Sequence, residues 1–252
     1  MKTFIKDKLT VKIMPSRSEM GKVAARDIAE RIKLMLEERD EINMIFAAAP
    51  SQNEVLASLL EDKGIEWGRI NAFHMDEYIG LPKDAPQGFG NFLVDHIFGK
   101  APFKTVNLIR SDAEPQEECE RYTALLKKYP CDICVMGIGE NGHIAFNDPP
   151  VADFSDPLFV KPVELDSICR NQQVHDGCFA SLDDVPTHAL TLTCPTLASA
   201  TYKFCIVPAP TKAKAVSAMI SCEISEKCPA TILRTCDNAV LYLDNDSSSL
   251  LS

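Results

Sequence analysis

Short apolar segments alternate with amphipathic segments along most of the chain, and this alternation constrains its fold more than any other feature. Segments 42–49, 69–75 and 132–138 are short and largely apolar, as strands covered on both faces should be. Segment 20–36 has apolar residues at helical spacing, with charged residues on its other side. Strands that alternate with helices are typical of a parallel sheet. The sequence therefore predicts one α/β domain over residues 1–252, with a mostly parallel, doubly wound sheet and helices on both faces.

Two later regions add detail to this prediction. Residues 188–195 (HALTLTCP) form a further predicted strand, which we expect to be an antiparallel or edge element. Residues 150–186 are the longest stretch without a regular pattern. Because such a stretch in a compact domain is often functional, we expect 150–186 to be a lid or a binding segment.

The composition of the chain excludes several classes of function. Its 252 residues carry a formal net charge of −10. A surface of this charge repels nucleic acids and anionic membranes, so we expect neither as a partner. The N-terminus lacks an export-type leader, and no segment has the roughly 18 apolar residues that a membrane-spanning helix needs. The sequence predicts a cytoplasmic protein that binds a small molecule, with a homo-oligomer as a possible assembly.

The ten cysteines are scattered through apolar segments, which indicates buried thiols in a reducing compartment. Cys131 and Cys134 have the spacing of half a zinc site. As strand residues three apart, however, they would point to opposite faces of the sheet, and no second pair has a suitable spacing. The cysteine pattern therefore predicts no metal site.

Polar residues follow four predicted strands at the point where each strand ends. In an open α/β sheet, ligands bind beyond the carboxyl ends of the strands. These four ends should therefore bring a hydroxyl, a carboxylate, an imidazole and an ammonium group into one cleft. The candidates, in chain order, are Ser51, Gln52, Asn53, Asp76, Glu77, Asn141, Gly142, His143 and Lys212.

Several of these candidates have a structural explanation as well as a functional one. Ser51 can cap a helix, or it can help the free amides of that helix bind an anion. Lys212 opens a helix, where its charge opposes the macrodipole, so it is either solvated or reaches for an anion. Neighbouring residues of a strand point to opposite sides, so only one of Asp76 and Glu77 should face the cleft, and we favour Asp76.

His143 follows two glycines, which let the backbone approach a ligand closely. A histidine can take and return a proton near neutral pH, and a partner on its other ring nitrogen orients it. Asp148 is the first candidate for this partner and Asn141 is the second. The alternative is a structural histidine that caps a turn.

The segments FHMDEYIGLP and GIGENGHIAFNDPP resemble the two signature motifs of glucosamine-6-phosphate deaminases, also called isomerases, a family with galactosamine-6-phosphate relatives. The order of elements is similar over nearly the whole chain. The related 6-phosphogluconolactonases share the fold, but they carry a threonine and small residues where this chain has IAFNDP. The resemblance implies a modified Rossmann-like fold, in agreement with the alternation of strands and helices.

The resemblance also implies a role for several residues. Asp76 matches the base that moves a proton between C2 and C1 of the opened sugar. His143 matches the imidazole that assists ring opening, Asp148 matches the carboxylate that orients it, and Asn141 precedes the Gly-His pair. Lys212 matches a lysine that contacts phosphate. The implied reaction converts a 2-amino-2-deoxyhexose 6-phosphate to the ketose 6-phosphate and ammonia, and it requires no metal or organic cofactor.

Three departures from the family pattern concern the same site. The family often has Asp and Glu where this chain has Asn141 and Asp148, and its Gly-rich phosphate loop is replaced by APSQNE at 49–54. Its phosphate-clamping arginine has no clean counterpart, and Arg170 is the nearest basic residue. The sugar and the phosphate contacts therefore stay open. The alternatives are a 6-phosphogluconolactonase-type hydrolase and a non-catalytic sugar-phosphate sensor.

Overall fold

The computed structural model describes residues 1–251, which form two β-sheets and the helices around them. The strands are β1 (Lys2–Lys6), β2 (Leu9–Ile13), β3 (Ile42–Phe46), β4 (Ile70–His74), β5 (Asp76–Tyr78), β6 (Thr105–Asn107), β7 (Ile133–Met136), β8 (Val160–Glu164), β9 (His188–Leu192), β10 (Tyr202–Val207) and β11 (Ala239–Leu243). The α-helices are α1 (Arg17–Glu38), α2 (Asn53–Glu61), α3 (Phe89–Leu93), α4 (Pro115–Lys128), α5 (Ser167–His175), α6 (Cys194–Ala198) and α7 (Ala213–Ser221). Short 3-10 turns lead into α2 (Pro50–Gln52) and α7 (Pro210–Lys212), and a longer one (Pro229–Thr235) precedes β11.

The larger sheet has eight strands in the order β1-β2-β11-β10-β7-β3-β4-β6. Every neighbouring pair is parallel except β1 and β2. From β3 the chain moves outward to β4 and β6, and then returns to the other side of β3 to add β7, β10 and β11. The direction of winding therefore reverses between β3 and β7. The prediction of a mostly parallel, doubly wound sheet is confirmed, and a ligand cleft is expected at this reversal.

Apolar side chains cover both faces of this sheet. On one face α1, α2 and α3 pack against the strands, and on the other face α4, α6 and α7 do so. Strand β7 shows the alternation, since Ile133 and Val135 belong to the first core and Cys134 and Met136 to the second. Because both faces of the sheet are buried, the strand residues that point to either face are apolar. This continuous apolar pattern is the one from which the sheet was predicted.

The smaller sheet contains three antiparallel strands in the order β5-β9-β8. The antiparallel prediction for 188–195 is therefore confirmed, but β9 is the central strand of this sheet and the edge alternative is wrong. Thr191 of β9 pairs with Asp76, and its Oγ1 accepts a hydrogen bond at 3.0 Å from the amide of Phe146. This strand thus joins β5 to the loop that follows β7.

Residues 150–186 show no regular pattern in the sequence, yet they contain β8 and α5. Their role as a lid or a binding segment stays a prediction. Helix α5 buries a thiol and two amides, Cys169, Gln172 and Gln173, in place of the usual aliphatic residues. A helix with such a polar buried side lacks the apolar periodicity that reveals a helix in a sequence.

The β1–β2 hairpin at the N-terminus was not predicted. Its second strand alternates buried Leu9 and Val11 with the less buried Thr10 and Lys12, which is a strand pattern too short to stand out. Among residues 1–251, no helix combines the length and the apolar character that crossing a membrane would require.

Candidate active site

A cleft of about 110 Å³ opens at the carboxyl ends of four adjacent strands, β10, β7, β3 and β4. It lies where the winding of the sheet reverses. It adjoins a second cavity of about 350 Å³, with which it shares wall residues from the loop after β3 and from α5. The predicted site residues that line the cleft are Ser51, Gln52, Asp76, His143 and Lys212. The four strand ends therefore deliver the expected hydroxyl, carboxylate, imidazole and ammonium group to one place.

Asp76 begins β5 and lines the cleft, with only 7% of its surface exposed. No hydrogen bond within residues 1–251 reaches its carboxylate, although its backbone is held by Thr191. Burial, and to a smaller extent the charge of Glu77, raise the pKa of Asp76 well above its ordinary value. A carboxylate with a raised pKa and no hydrogen-bond donor is suited to act as a general base.

Glu77 has a different environment although it is the next residue. Its carboxylate accepts hydrogen bonds from the amides of Phe89 and Gly90 at 3.0 and 2.8 Å, at the start of α3, and from its neighbour Tyr78 at 3.0 Å. Glu77 therefore caps a helix. Only Asp76 of the two carboxylates faces the cleft, as the alternation of strand side chains predicts.

His74 lies two residues before Asp76 but points into the core. Its Nε2 accepts a hydrogen bond at 2.8 Å from the amide of Ile109, and its ring packs edge-on against Tyr122. Burial lowers the pKa of His74 to about 3, so the ring is neutral. His74 is therefore a packing residue.

His143 stands on the wall of the cleft with both candidate partners behind it. Its Nδ1 lies 2.8 Å from Oδ1 of Asn141 and 2.9 Å from Oδ1 of Asp148. Nδ2 of Asn141 donates a hydrogen bond to the same Asp148 oxygen at 2.8 Å. Because both oxygens next to Nδ1 are acceptors, the ring proton belongs on Nδ1, which leaves Nε2 free to accept a proton.

Asp148 is almost fully buried behind this imidazole. Burial alone would raise the pKa of Asp148, but the hydrogen bonds from His143 and Asn141 hold it below its ordinary value. The carboxylate therefore remains charged and fixes the orientation of the ring. The Cys169 thiol lies beside it, so that one donor atom from each of His143, Asp148 and Cys169 falls within 4.8 Å of the others. These three residues could hold a metal ion only by giving up the direct hydrogen bond between His143 and Asp148.

Two glycines give the loop after β7 its shape. A Cβ atom on Gly139 would lie 2.1 to 2.3 Å from three ring atoms of His143, so only glycine lets the imidazole lie against the backbone there. Gly142 has a φ of +88°, and a Cβ atom on it would lie 2.7 Å from Sγ of Cys228. Gly142 was predicted to contact substrate, but it lies behind the cleft wall and forms the turn that presents His143.

The first turns of α2 and α7 form another part of the cleft wall. Each helix follows a 3-10 turn that begins with a proline, Pro50 or Pro210, and free amides at such helix starts favour anions. Oγ of Ser51 accepts a hydrogen bond at 3.0 Å from Nε2 of Gln52. Gln52 is fully buried and also donates to the Ile206 carbonyl at 3.3 Å, so it fixes Ser51 against β10.

Lys212 is the one predicted cation that lines the cleft, and it is 6% exposed. Burial lowers the pKa of Lys212, while the charges of Asp176 and Glu140 act in the opposite direction. An ammonium group this buried gains from an anionic ligand, because the ligand replaces the hydration that the ammonium has lost.

Two further residues that were predicted to bind substrate, Arg170 and Asn53, also lie outside the cleft. Nη2 of Arg170 donates hydrogen bonds to the carbonyls of Leu182 and Val185, each at 2.8 Å, and so holds the following turn to α5. Helix α5 presents Gln172 to the cleft, and residues two apart on a helix face opposite sides, so Arg170 points away. Asn53 begins α2 but is not among the lining residues.

Sequence analysis missed four polar residues that line the cleft: Arg17, Gln172, Gln173 and Asp176. The last three belong to α5 or follow it, and α5 itself was not predicted. Arg17 is the first residue of α1. Its charge opposes the macrodipole there, which is the signal that singled out Lys212.

Backbone strain occurs at two non-glycine residues of the cleft wall. Ala145 has a φ of +48° and Ala209 a φ of +82° with ψ 150°. The Ala209 conformation is almost confined to glycine, and the Asp244 carboxylate, which accepts a hydrogen bond from the Ala209 amide at 3.2 Å, holds it in place. Such strain is concentrated at functional sites.

Comparison with known proteins agrees with this geometry. The family described as glucosamine-6-phosphate isomerases/6-phosphogluconolactonase matches residues 15–242. A glucosamine-6-phosphate deaminase of Bacillus cereus (strain G9842) is 31% identical over 247 residues, which cover 97% of this chain and 90% of the relative. One of Listeria innocua serovar 6a is 32% identical over 212 residues, which cover 84% and 88%.

Solved structures show the same likeness. A monomeric glucosamine-6-phosphate deaminase superposes with a TM-score of 0.87 at 26% identity, over 95% of this chain and 99% of that chain. The 6-phosphogluconolactonase of Thermotoga maritima superposes with a TM-score of 0.76 at 18% identity, over 94% and 99%. The second likeness is one of fold.

Proposed function

This chain belongs to the family of glucosamine-6-phosphate isomerases and 6-phosphogluconolactonases, and we propose that it is a deaminating isomerase of 2-amino-2-deoxyhexose 6-phosphates. The products are the ketose 6-phosphate and ammonia. One observation carries the proposal: a carboxylate with a raised pKa, Asp76, shares one cleft with an imidazole held by two acceptors, His143. Relatives with 31 and 32% identity are named glucosamine-6-phosphate deaminases, which supports the same reaction.

The reaction needs two separate groups that transfer protons. Nε2 of His143 takes the proton from O1 of the closed sugar and returns it to O5, which opens the ring. Asp76 then removes the proton from C2 and delivers it to C1, while O1 gains the proton that the amino nitrogen loses, which leaves a hydroxyl group at C1 and an imine at C2. Water adds to this imine and ammonia leaves. A single carboxylate serves both carbon positions because C1 and C2 are adjacent.

The phosphate group of the substrate would lie against the wall formed by Lys212 and the first turns of α2 and α7, called the anion end. Lys212 and the first turns of α2 and α7 offer a cation and free amides there. Binding at this end would hold the sugar so that C1 and C2 lie near Asp76, and the affinity for phosphate would be used to position the reacting carbons.

Ammonia release by the purified protein from glucosamine 6-phosphate and galactosamine 6-phosphate tests the proposal. We expect release from at least one of the two, and none from the unphosphorylated sugars at the same concentration. The variant Asp76→Asn should bind the substrate without releasing ammonia. Hydrolysis of 6-phosphogluconolactone with no ammonia from either amino sugar would overturn the proposal in favour of a lactonase. Binding of both amino sugars without turnover by the wild type would overturn it in favour of a sensor.

A further inference from the structure

The guanidinium group of Arg17 reaches the cleft from α1, an element that supplies no other lining residue. It lies beside Pro50 and lines the same cleft as Ser51 and Lys212. Its side chain is 35% exposed and forms part of the cleft wall. Arg17 is therefore a second cation at the end where the phosphate is proposed to bind.

Two contacts fix the position of this guanidinium group. Nε donates a hydrogen bond at 2.7 Å to Oε1 of Glu54, and Nη2 donates one to the carbonyl of Pro50. The helices that carry the two side chains are in close contact, because a Cβ atom on Gly21 of α1 would lie 2.4 Å from Cβ of Glu54 on α2. The guanidinium group is thus held beside the first turn of α2.

These contacts leave some N–H bonds of the guanidinium group available to donate hydrogen bonds to a ligand. Of its five N–H bonds, Nε and one of the Nη2 hydrogens have partners, while Nη1 has none within residues 1–251. A guanidinium group with free hydrogens on neighbouring nitrogens can donate two parallel hydrogen bonds to one phosphate.

Carboxylates near Lys212 reduce the positive charge that it offers to a phosphate group, so a second cation would strengthen phosphate binding at this end. Lys212 is near the carboxylates of Asp176 and Glu140, and Asp176 itself lines the cleft. A lysine shared with carboxylates cannot by itself balance a phosphate that carries nearly two negative charges near neutral pH. The carboxylate partner of Arg17, Glu54, is not a lining residue.

We propose that Arg17 binds the phosphate group of the substrate together with Lys212, in the role for which the sequence offered Arg170. This inference rests on the proposed function for the identity of the substrate. The binding of phosphate by Arg17 can be measured with inorganic phosphate, and this measurement does not depend on turnover.

The test uses Arg17→Gln, with Arg26→Gln as the matched control. Arg26 lies on the same helix, and its side chain is 68% exposed and contacts only its neighbour Asp27. For Arg17→Gln we expect the Kd of inorganic phosphate and the KM of the amino sugar phosphate to rise about 10- to 100-fold, because charge-assisted hydrogen bonds are lost, while kcat changes less than threefold. Arg26→Gln should leave all three constants within twofold.

A second variant separates binding from structure. Glu54→Gln removes the charge of the partner but keeps an oxygen that can accept the hydrogen bond from Nε, so the guanidinium group should keep its position and the variant should retain the phosphate affinity of the wild type. Equal losses of affinity in Arg17→Gln and Glu54→Gln would show that the ion pair acts through the fold, and would overturn the proposal. Unchanged phosphate affinity in Arg17→Gln would overturn it as well. If the wild type lacks deaminase activity but Arg17→Gln still weakens phosphate binding, the proposed reaction fails and the assignment of Arg17 stands.

Discussion

The two ends of the cleft hold their functional groups in different ways. At the proton-transfer end (Asp76, Asn141, His143 and Asp148), three of the four residues lie within one short loop, and hydrogen bonds of 2.8 to 2.9 Å connect them. At the anion end (Arg17, Ser51, Lys212 and Asp176), the residues come from four separate segments, and both cations are near carboxylates. The hydrogen bonds at the proton-transfer end fix the orientation of the reacting groups, whereas the side chains at the anion end set the charge that a ligand meets. Substitutions at the first end should therefore lower kcat, and those at the second should raise KM.

The largest effect is expected for Asp76→Asn at the proton-transfer end. An amide cannot accept the C2 proton, so kcat should fall by about 10²- to 10⁴-fold with little change in KM. Because burial raises the pKa of Asp76, ionising this carboxyl group in the folded protein costs stability. The free energy of unfolding of the wild type should therefore fall as the pH rises from the ordinary pKa of an aspartate through the raised pKa of Asp76. The variant lacks this cost, so its denaturant midpoint should exceed that of the wild type at pH 7 and approach it near pH 4.

Glu77→Gln is the matched control, since the same chemical change is made one residue away. Its carboxylate caps α3 and does not line the cleft, so we expect a kcat within about tenfold of the wild type. A greater loss of kcat in Glu77→Gln than in Asp76→Asn would exchange the roles assigned to the two carboxylates.

The next largest effect is expected for Gly139→Ala. The added methyl group would overlap the ring of His143 and displace it, and a displacement of about 1 Å can lower a rate about 10²-fold. Gly68→Ala is the control, because the nearest atom to a Cβ there is 3.8 Å away. Steady-state kinetics of both variants, with circular dichroism to confirm folding, would test this. Equal activity of the two variants would contradict the placement of the ring against Gly139.

At the anion end, Lys212→Gln should raise KM about tenfold or more and leave kcat nearly unchanged. Burial lowers the pKa of Lys212, so phosphate affinity of the wild type should decline as the pH rises through that lowered value, below the pH at which an ordinary lysine loses its proton. The variant should lack this decline. Phosphate Kd values between pH 7 and pH 10 measure it, and the exposed Lys214→Gln on the same helix is the control. A similar decline in Lys212→Gln would assign the titration to another group.

The smallest effect is expected for Ala209→Gly, which relieves strain at the anion end. Relief of an unfavourable backbone conformation is worth about 1–3 kcal/mol, and the greater freedom of glycine in the unfolded chain offsets about 0.5–1 kcal/mol. The free energy of unfolding should therefore increase by about 1 kcal/mol. Ala218→Gly, within α7, should instead lower it by a similar amount. Denaturant titration of both variants measures these opposite signs, and a loss of stability in Ala209→Gly would show that its conformation is not strained.

The sequence was sufficient for the strands and for the loop that carries His143, because both are patterns of residues close together in the chain. Strands buried on both faces are apolar throughout, and His143, Asn141 and Asp148 lie within eight residues of one another. The anion end could not be predicted in full, because it depends on how distant helices pack. Arg17 reaches Pro50 only because α1 packs closely on α2 at Gly21. Arg170 is near the site in sequence, but the orientation of α5 turns it away.

The central strand of the small sheet has a consequence for the dynamics of the protein. Thr191 pairs with Asp76 and also binds the amide of Phe146, and the carbonyl of Leu192 accepts a hydrogen bond at 2.8 Å from Asn147 in the loop that carries His143. Both proton-transfer groups are therefore anchored to the same few residues of β9. A local opening of β9 would release both groups in one cooperative step, at a lower free energy than global unfolding. Amide hydrogen exchange along β9 and the loss of activity in mild denaturant should then report the same event.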